Sequence, residues 1–269
     1  MIVSLLCGLV LAPNIYRDLV YVGGGGKSQS LDLYVPEGAG KKPLVIWIHG
    51  GWWRSGNKSG GPIQPLLREG LAVASINYRF SSEAIFPAQI YDCKAAVRWL
   101  RANAERYGLD KEKFGAWGGS SGGYLAALLG TSGGVKELEG DLGNLGESSR
   151  VQAVCDFYGP IDFAAMMTGS AGSESRNSIA LLLGGAVSSK LDLAKTANPV
   201  TYVSRDDPPF LICHGGKDAL VPLSQSATLH QALQSAGVSS ELFVAPNGSH
   251  GNIGAEANEK AVAFFKAQL

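Results

Sequence analysis

Residues 114–130 read FGAWGGSSGGYLAALLG, and this stretch decides the fold. Phe114 to Trp117 is an apolar run of strand character, Gly118 to Gly123 is a turn, and Tyr124 onward is an Ala/Leu-rich helix former. A glycine-rich turn between a buried strand and a helix is the setting in which GxSxG acts as a nucleophile elbow. There the serine occupies a sharp, strained turn, and the flanking glycines let the two arms approach. The N-terminus of the helix then favours negative charge developing at the site. Two frames fit: Gly118-Gly119-Ser120-Ser121-Gly122 and Gly119-Ser120-Ser121-Gly122-Gly123. Spacing alone does not choose between them. The position of Trp117 directly before the motif favours Ser120, which leaves Gly118 and Gly122 as the close-packing pair.

Outward from this segment the chain alternates short apolar runs with helical stretches. PLVIWIHG, LAVASINYR, VQAVCDFYG, PPFLICHGG and SSELFVAP read as buried strands of a mainly parallel sheet. The clearest helix is Pro87 to Tyr107, with Pro at its start, an apolar stripe through Ile90, Cys93, Val97 and Leu100, and Gly108 just past its end. Further helices are predicted at Gly122 to Leu129, Leu223 to Ala236 and Ala255 to Ala267. Near the N-terminus, Tyr16 to Val22 and Ser30 to Val35 read as an antiparallel hairpin across VGGGGKSQ. The alternation argues for a doubly wound α/β sheet. The roughly 50 residues between Tyr158 and Pro209 are too few for a domain and read as a small cap.

Composition removes several function classes. With 23 Lys+Arg against 23 Asp+Glu, no basic surplus exists to neutralise phosphates, so nucleic acid is a poor partner. Charged residues are 17% and hydrophobic residues 45%, which suits a heavily buried enzyme better than a disordered chain. Gly26-Lys27-Ser28 resembles the end of a phosphate-binding loop, but the glycine that motif needs at position 21 is Tyr21. The four cysteines and four histidines form no ligand spacing, so no metal and no cofactor is expected. Cys93, Cys155 and Cys213 lie in apolar stretches and read as small buried side chains without disulfides.

The opening MIVSLLCGLVLAP is too short to span a bilayer, so no stable membrane insertion is expected. It reads as the hydrophobic part of an export signal ending near Ala12, placing the protein in the periplasm or outside the cell. The missing basic n-region and the position of Pro13 keep a cytoplasmic reading open. The organisation is thus residues 1–15 as signal remnant or N-terminal extension and 16–269 as one domain, with a cap-like insertion at about 160–207.

On such a scaffold the triad runs Ser, Asp or Glu, then His along the chain. Asp218 follows the run PPFLICHGG at the carboxyl end of a strand, where active sites of α/β sheets collect. Asp206 and Asp207 precede that strand, and Asp162 and Asp192 belong to the cap. His250, in NGSHG after ELFVAP, completes the order Ser120, Asp218, His250. His214 reads as structural and His230 as a solvated helix residue. Upstream, His49-Gly50-Gly51-Trp52 ends an early strand, where an HGGG-type loop donates backbone N–H groups. The expected donors are Gly51 and Trp52, completed by Ser121, with His49 fixing the loop. Trp53 reads either as a substrate-pocket wall or as packing.

These residues resemble the esterase/lipase group of α/β-hydrolases, in particular the cap-poor branch that includes bifunctional acetylxylan and feruloyl esterases. LDLYVP, IHGGWWRSG, NYR, FPAQIYDCKAAVRWL, WGGSSGGYLAALLG, PPFLICHGGKDALVP and GSHG look like its blocks in order, from about Tyr16 through nearly the whole chain. The resemblance implies an α/β-hydrolase fold: a mainly parallel doubly wound sheet with an N-terminal antiparallel hairpin and a small cap insertion. It also implies Ser120 as nucleophile, Asp218 as acid, His250 as base and the Gly51 to Trp52 loop as oxyanion hole. The expected activity is serine-dependent hydrolysis of short-chain or carbohydrate-linked esters, acetyl or feruloyl in type. Two positions depart from the pattern, Trp52 for the third glycine and Gly119 before the nucleophile. HGG followed by an aromatic residue also looks like kynurenine formamidase relatives, so amide hydrolysis is the nearest alternative. A catalytically silent fold that binds a ligand is the other.

Overall fold

A computed structural model describes residues 12–168 and 172–269. The apolar opening read as an export signal lies largely outside the described residues, as does Cys7. Strands β1 (Asn14–Val20), β2 (Ser30–Val35), β3 (Lys42–Ile48), β4 (Ala72–Ile76), β5 (Leu109–Gly119), β6 (Ala153–Phe157), β7 (Phe210–Gly215) and β8 (Ser240–Ala245) form one sheet. Its spatial order is β1-β2-β4-β3-β5-β6-β7-β8. The hairpin strands pair antiparallel and β2 meets β4 antiparallel, whereas every pairing from β4 across to β8 is parallel. This is the α/β-hydrolase arrangement that the sequence resemblance implies.

Period-two alternation along the strands builds a core on each face. Leu44, Ile46, Ile48, Ala74, Ile76 and Ala116 point into the larger one. Val45, Val73, Trp117, Cys155, Leu211 and Cys213 point into the other. Helices α1 (Ile63–Arg68), α2 (Ala88–Ala102), α3 (Ala104–Tyr107), α4 (Ser121–Thr131) and α5 (Lys136–Glu139) precede β6. Helices α6 (Phe163–Thr168), α7 (Ser173–Leu183) and α8 (Leu191–Thr196) lie between β6 and β7, and α9 (Ser224–Ser235) and α10 (Ala255–Gln268) follow. Residues of α2, α4 and α9 pack into the larger core, and residues of α1 and α10 into the second, so the sheet is covered on both faces. Cys93, Cys155 and Cys213 are buried, as their apolar surroundings predict.

Three local departures from the sequence reading have physical causes. The helix predicted over Pro87 to Tyr107 breaks at Asn103, whose side-chain amide donates to the Trp99 carbonyl (2.8 Å) and competes with the helical ladder. Its second piece stops at Gly108, which adopts φ 68° as predicted for a C-terminal glycine. The first strand ends at Val20 because Tyr21 turns inward, where its hydroxyl donates to the Asn77 carbonyl (2.7 Å). Helix α1, six residues with Pro65 inside it, carries too little periodicity to be read from sequence.

Candidate active site

The carboxyl ends of four parallel strands carry the site: β3 leads to Gly50–Trp53, β5 to Ser120, and the loops after β7 and β8 to Asp218 and His250. Ser120 sits at φ 57° and ψ −124°, a conformation that costs about 1–3 kcal/mol and holds only where the surroundings over-determine it. Those surroundings are backbone packed against backbone. A Cβ on Gly118 would lie 2.1 Å from the Gly122 carbonyl oxygen, and one on Gly122 would lie 2.0 Å from that of Ile48. The close-packing pair expected from the Ser120 frame is therefore the pair that the elbow requires.

The three residues meet in one hydrogen-bonded chain. His250 Nδ1 donates to Asp218 Oδ2 (2.7 Å), since a carboxylate can only accept. This leaves Nε2 as the acceptor for the Ser120 hydroxyl at 2.9 Å. The other carboxylate oxygen, Oδ1, accepts the amides of Leu220 and Val221, both at 2.9 Å. Burial pushes the Asp218 pKa up, but bonds from His214, His250 and the Val221 amide outweigh it and hold the carboxyl well below its usual range. Ser121 is fully buried and is not hydrogen-bonded to His250.

The expected oxyanion donors lie on the elbow and on the loop that abuts it. The Ser120 amide is taken by the Phe157 carbonyl (2.8 Å), which leaves the next amide, that of Ser121, as the free donor beside Ser120. Gly50 abuts the elbow so closely that a Cβ on it would lie 2.8 Å from the Gly119 carbonyl oxygen. Trp52 and Trp53 both adopt left-handed backbone, at φ 55° and 56°. Their turn is closed by the Arg54 and Ser55 amides donating to the Gly51 carbonyl (3.0 and 3.1 Å). Among the described residues no backbone acceptor takes the amides of Gly51, Trp52 or Ser121. His49 fixes the loop as predicted: Nδ1 donates to the Gly50 carbonyl (2.7 Å) and its ring stacks on Tyr78 at 4.5 Å. Burial lowers its pKa despite that bond.

The two tryptophans divide differently from the pocket-wall reading of Trp53. Trp53 is fully buried, packed edge-on against Tyr124 (5.3 Å) and Phe163 (5.5 Å), so it is a core residue and lines no open cleft. Trp52 is half-buried, lying parallel to the His250 ring at 6.3 Å. Tyr158, which sequence reasoning did not single out, packs edge-on against the His250 ring at 4.8 Å. Burial, with Asp218 and Asp156 nearby, pushes its phenol up to about 12, so it remains protonated. Among the alternatives, His214 is committed: Nε2 donates to the Val221 carbonyl (2.9 Å) and Nδ1 accepts from Ser226 (2.7 Å). Its Nε2 also lies 3.4 Å from Asp218 Oδ2, a contact that sequence alone did not reveal. His230, expected to be solvated, is part-buried and hydrogen-bonded to Ser240 (2.8 Å).

Behind the elbow lies a second carboxyl. Asp156 on β6 is fully buried; Oδ1 accepts the Gly159 amide (2.9 Å), and Oδ2 has no protein partner among the described residues. Burial pushes its pKa to about 7, against the opposing influence of the Gly159 bond and His214. The ordinary value is 3.8, so between about pH 4 and 7 the folded chain keeps a proton that the unfolded chain has released. This contribution to stability is full at low pH and is lost as pH rises through that window. Asp156→Asn removes the titration and keeps an acceptor for Gly159. Relative to wild type, its unfolding free energy is expected to rise by up to about 4 kcal/mol from pH 4 to 7. Denaturant unfolding of both proteins across that range checks this, and parallel curves would refute it.

Comparison with known proteins points the same way. A family model described as BD-FAE matches residues 31–233. A truncated form of a carbohydrate esterase from gut microbiota superposes with a TM-score of 0.89 at 34% identity, covering 97% of this chain and 98% of that one. A bifunctional GH43-CE protein of Bacteroides eggerthii gives a TM-score of 0.88 at 37% identity, over 94% of this chain and 35% of that one. Esterase LipQ of Mycobacterium tuberculosis (strain ATCC 25618 / H37Rv) is 32% identical over 246 residues, which is 87% of this chain and 56% of that protein. The chain spans about half the length of the mycobacterial relatives it matches.

Proposed function

This chain belongs to the BD-FAE family, and we propose that it is a serine-dependent carboxylic ester hydrolase acting on short-chain or carbohydrate-linked esters through an acyl-enzyme. The observation that carries this reading is the chain Ser120 to His250 to Asp218, with bonds of 2.9 and 2.7 Å, beside three amides that no backbone acceptor among the described residues takes. In the first step His250 Nε2 takes the Ser120 proton as Oγ attacks the ester carbonyl carbon. The tetrahedral oxyanion forms against the amides of Gly51, Trp52 and Ser121, donors already in place before charge develops. His250 then gives its proton to the leaving alkoxide, the acyl group stays on Ser120, and water reverses the sequence to release the acid. Asp218 keeps the proton on Nδ1 throughout and stabilises the transient imidazolium.

A small cap and an indole ring over the base support a short acyl group and a bulky alcohol side. The names of the structural neighbours, a carbohydrate esterase and a GH43-CE protein, support a sugar-borne ester. Acetyl and feruloyl groups are the expected acyl parts. Among the described residues no helix is long and apolar enough to cross a membrane. Hydrolysis of p-nitrophenyl acetate, butyrate and octanoate, followed by acetylated xylan, tests the reading. Acetate is expected to turn over fastest, and acetate release from xylan to follow. A protein inert on all three esters but active on an N-formyl aromatic amine would be a formamidase instead.

A further inference from the structure

The oxyanion loop continues into Arg54, whose amide closes the turn on the Gly51 carbonyl (3.0 Å). The turn that presents the Gly51 and Trp52 amides therefore also fixes where this arginine begins. The guanidinium is exposed, and its Nη1 donates to the buried hydroxyl of Ser178 on α7 (3.3 Å). Arg17, Arg79, Arg98 and Arg150 each pair with a carboxylate. Arg54 pairs with none among the described residues. It is a tethered cation with most of its N–H fork unused.

Arg54 borders a cleft of about 730 Å³ between the oxyanion loop, residues 81–85 and α7. Its lining combines apolar side chains, Ile85 and Leu181, which are 47% and 51% exposed, with Arg54, Ser81 and Asn177. Ser81 is fastened to the oxyanion loop, because its amide and its hydroxyl both donate to the Trp53 carbonyl (2.8 and 3.3 Å). The loops that border the cleft follow β3 and β4 at their carboxyl ends, the side of the sheet on which Ser120 and His250 stand. An apolar wall suits the face of a ring. A planar guanidinium without a counter-ion suits a carboxylate, which it can bind through two parallel bonds.

We infer that this cleft is a subsite for the alcohol part of an ester whose ring carries a carboxylate, the chemistry of an acidic sugar or an aromatic acid. The inference rests on the esterase reading: the small acyl group occupies the oxyanion hole, and the larger cleft is left to the leaving alcohol. Arg54 is then a specificity-determining residue that acts on binding rather than on the proton transfers.

The test compares kcat/KM on two matched pairs: acetylated methyl glucoside against acetylated methyl glucuronoside, and phenyl acetate against 3-acetoxybenzoate. Wild type, Arg54→Gln and Arg54→Lys are measured, with Ser120→Ala as the blank. In at least one pair, wild type is expected to favour the anionic member by about tenfold or more, mainly through KM. The sugar pair and the aromatic pair distinguish the two sources of the carboxylate. Arg54→Gln should bring the ratio near one, Arg54→Lys should hold it between the two, and added salt should narrow it in wild type. A wild-type ratio near one in both pairs, with Ser120-dependent hydrolysis intact, overturns the subsite and leaves the esterase standing. So does a preference that Arg54→Gln does not change. Failure to hydrolyse any of the four esters overturns the esterase reading and the subsite with it.

Discussion

Ser120→Ala is expected to lower turnover of p-nitrophenyl acetate by on the order of 10⁶, about 8 kcal/mol of barrier. The size follows from the absence of a substitute. Ser120 Oγ donates to His250 Nε2 at 2.9 Å, whereas the neighbouring Ser121 is fully buried and is not hydrogen-bonded to that nitrogen. Alanine meets the same backbone strain at φ 57° that serine does, and the glycines that hold the elbow are untouched. The variant should therefore fold with a near wild-type melting temperature and bind substrate with little change, so the loss falls on kcat. Residual catalysis would come from the oxyanion donors and from binding alone. Steady-state kinetics beside a thermal melt checks this, and a variant within tenfold of wild type would contradict the assignment.

Asp218→Asn is expected to cost about 10⁴ in kcat by a different route. Asparagine can still accept the Leu220 and Val221 amides with its oxygen in the place of Oδ1. That orientation turns its NH₂ toward His250 Nδ1, which must then accept rather than donate. The imidazole proton moves to Nε2, and the nitrogen facing Ser120 can no longer take a proton. His214 cannot restore the arrangement, because its Nε2 is committed to the Val221 carbonyl at 2.9 Å. The loss should appear in kcat with KM nearly unchanged, and an equal loss in the two parameters would point to a collapsed loop instead. The carboxyl of Asp218 is held well below its ordinary range, so it stays ionised through mildly acid conditions and sets no limit on activity there.

Much of this site is legible in the residues themselves, for identifiable reasons. Gly118 and Gly122 are readable because carbonyl oxygens stand 2.1 and 2.0 Å from where a Cβ would be, so only glycine fits. Asp218 and His250 are readable because chain order on a parallel sheet fixes which strand ends lie beside one another. What eludes sequence is the direction in which a side chain turns at left-handed backbone. Trp52 and Trp53 are adjacent and identical, with φ of 55° and 56°, yet one lies parallel to the His250 ring and the other enters the core. Tyr158, at φ 47°, turns onto His250 in the same unpredictable way. Asp156 reads as one polar residue in an apolar strand, and only three-dimensional packing places it, unpartnered on one oxygen, behind the elbow. Arg54 is hidden for a similar reason, since α7, which anchors it, lies 124 residues further along the chain.

Covalent trapping shows whether Ser120 is an activated nucleophile. Wild type is incubated with a fluorophosphonate, its intact mass is measured, and the labelled peptide is mapped. One adduct per chain is expected on Ser120, lost in Ser120→Ala and retained in Ser121→Ala. An adduct on Ser121, or no adduct on a folded protein, would contradict it.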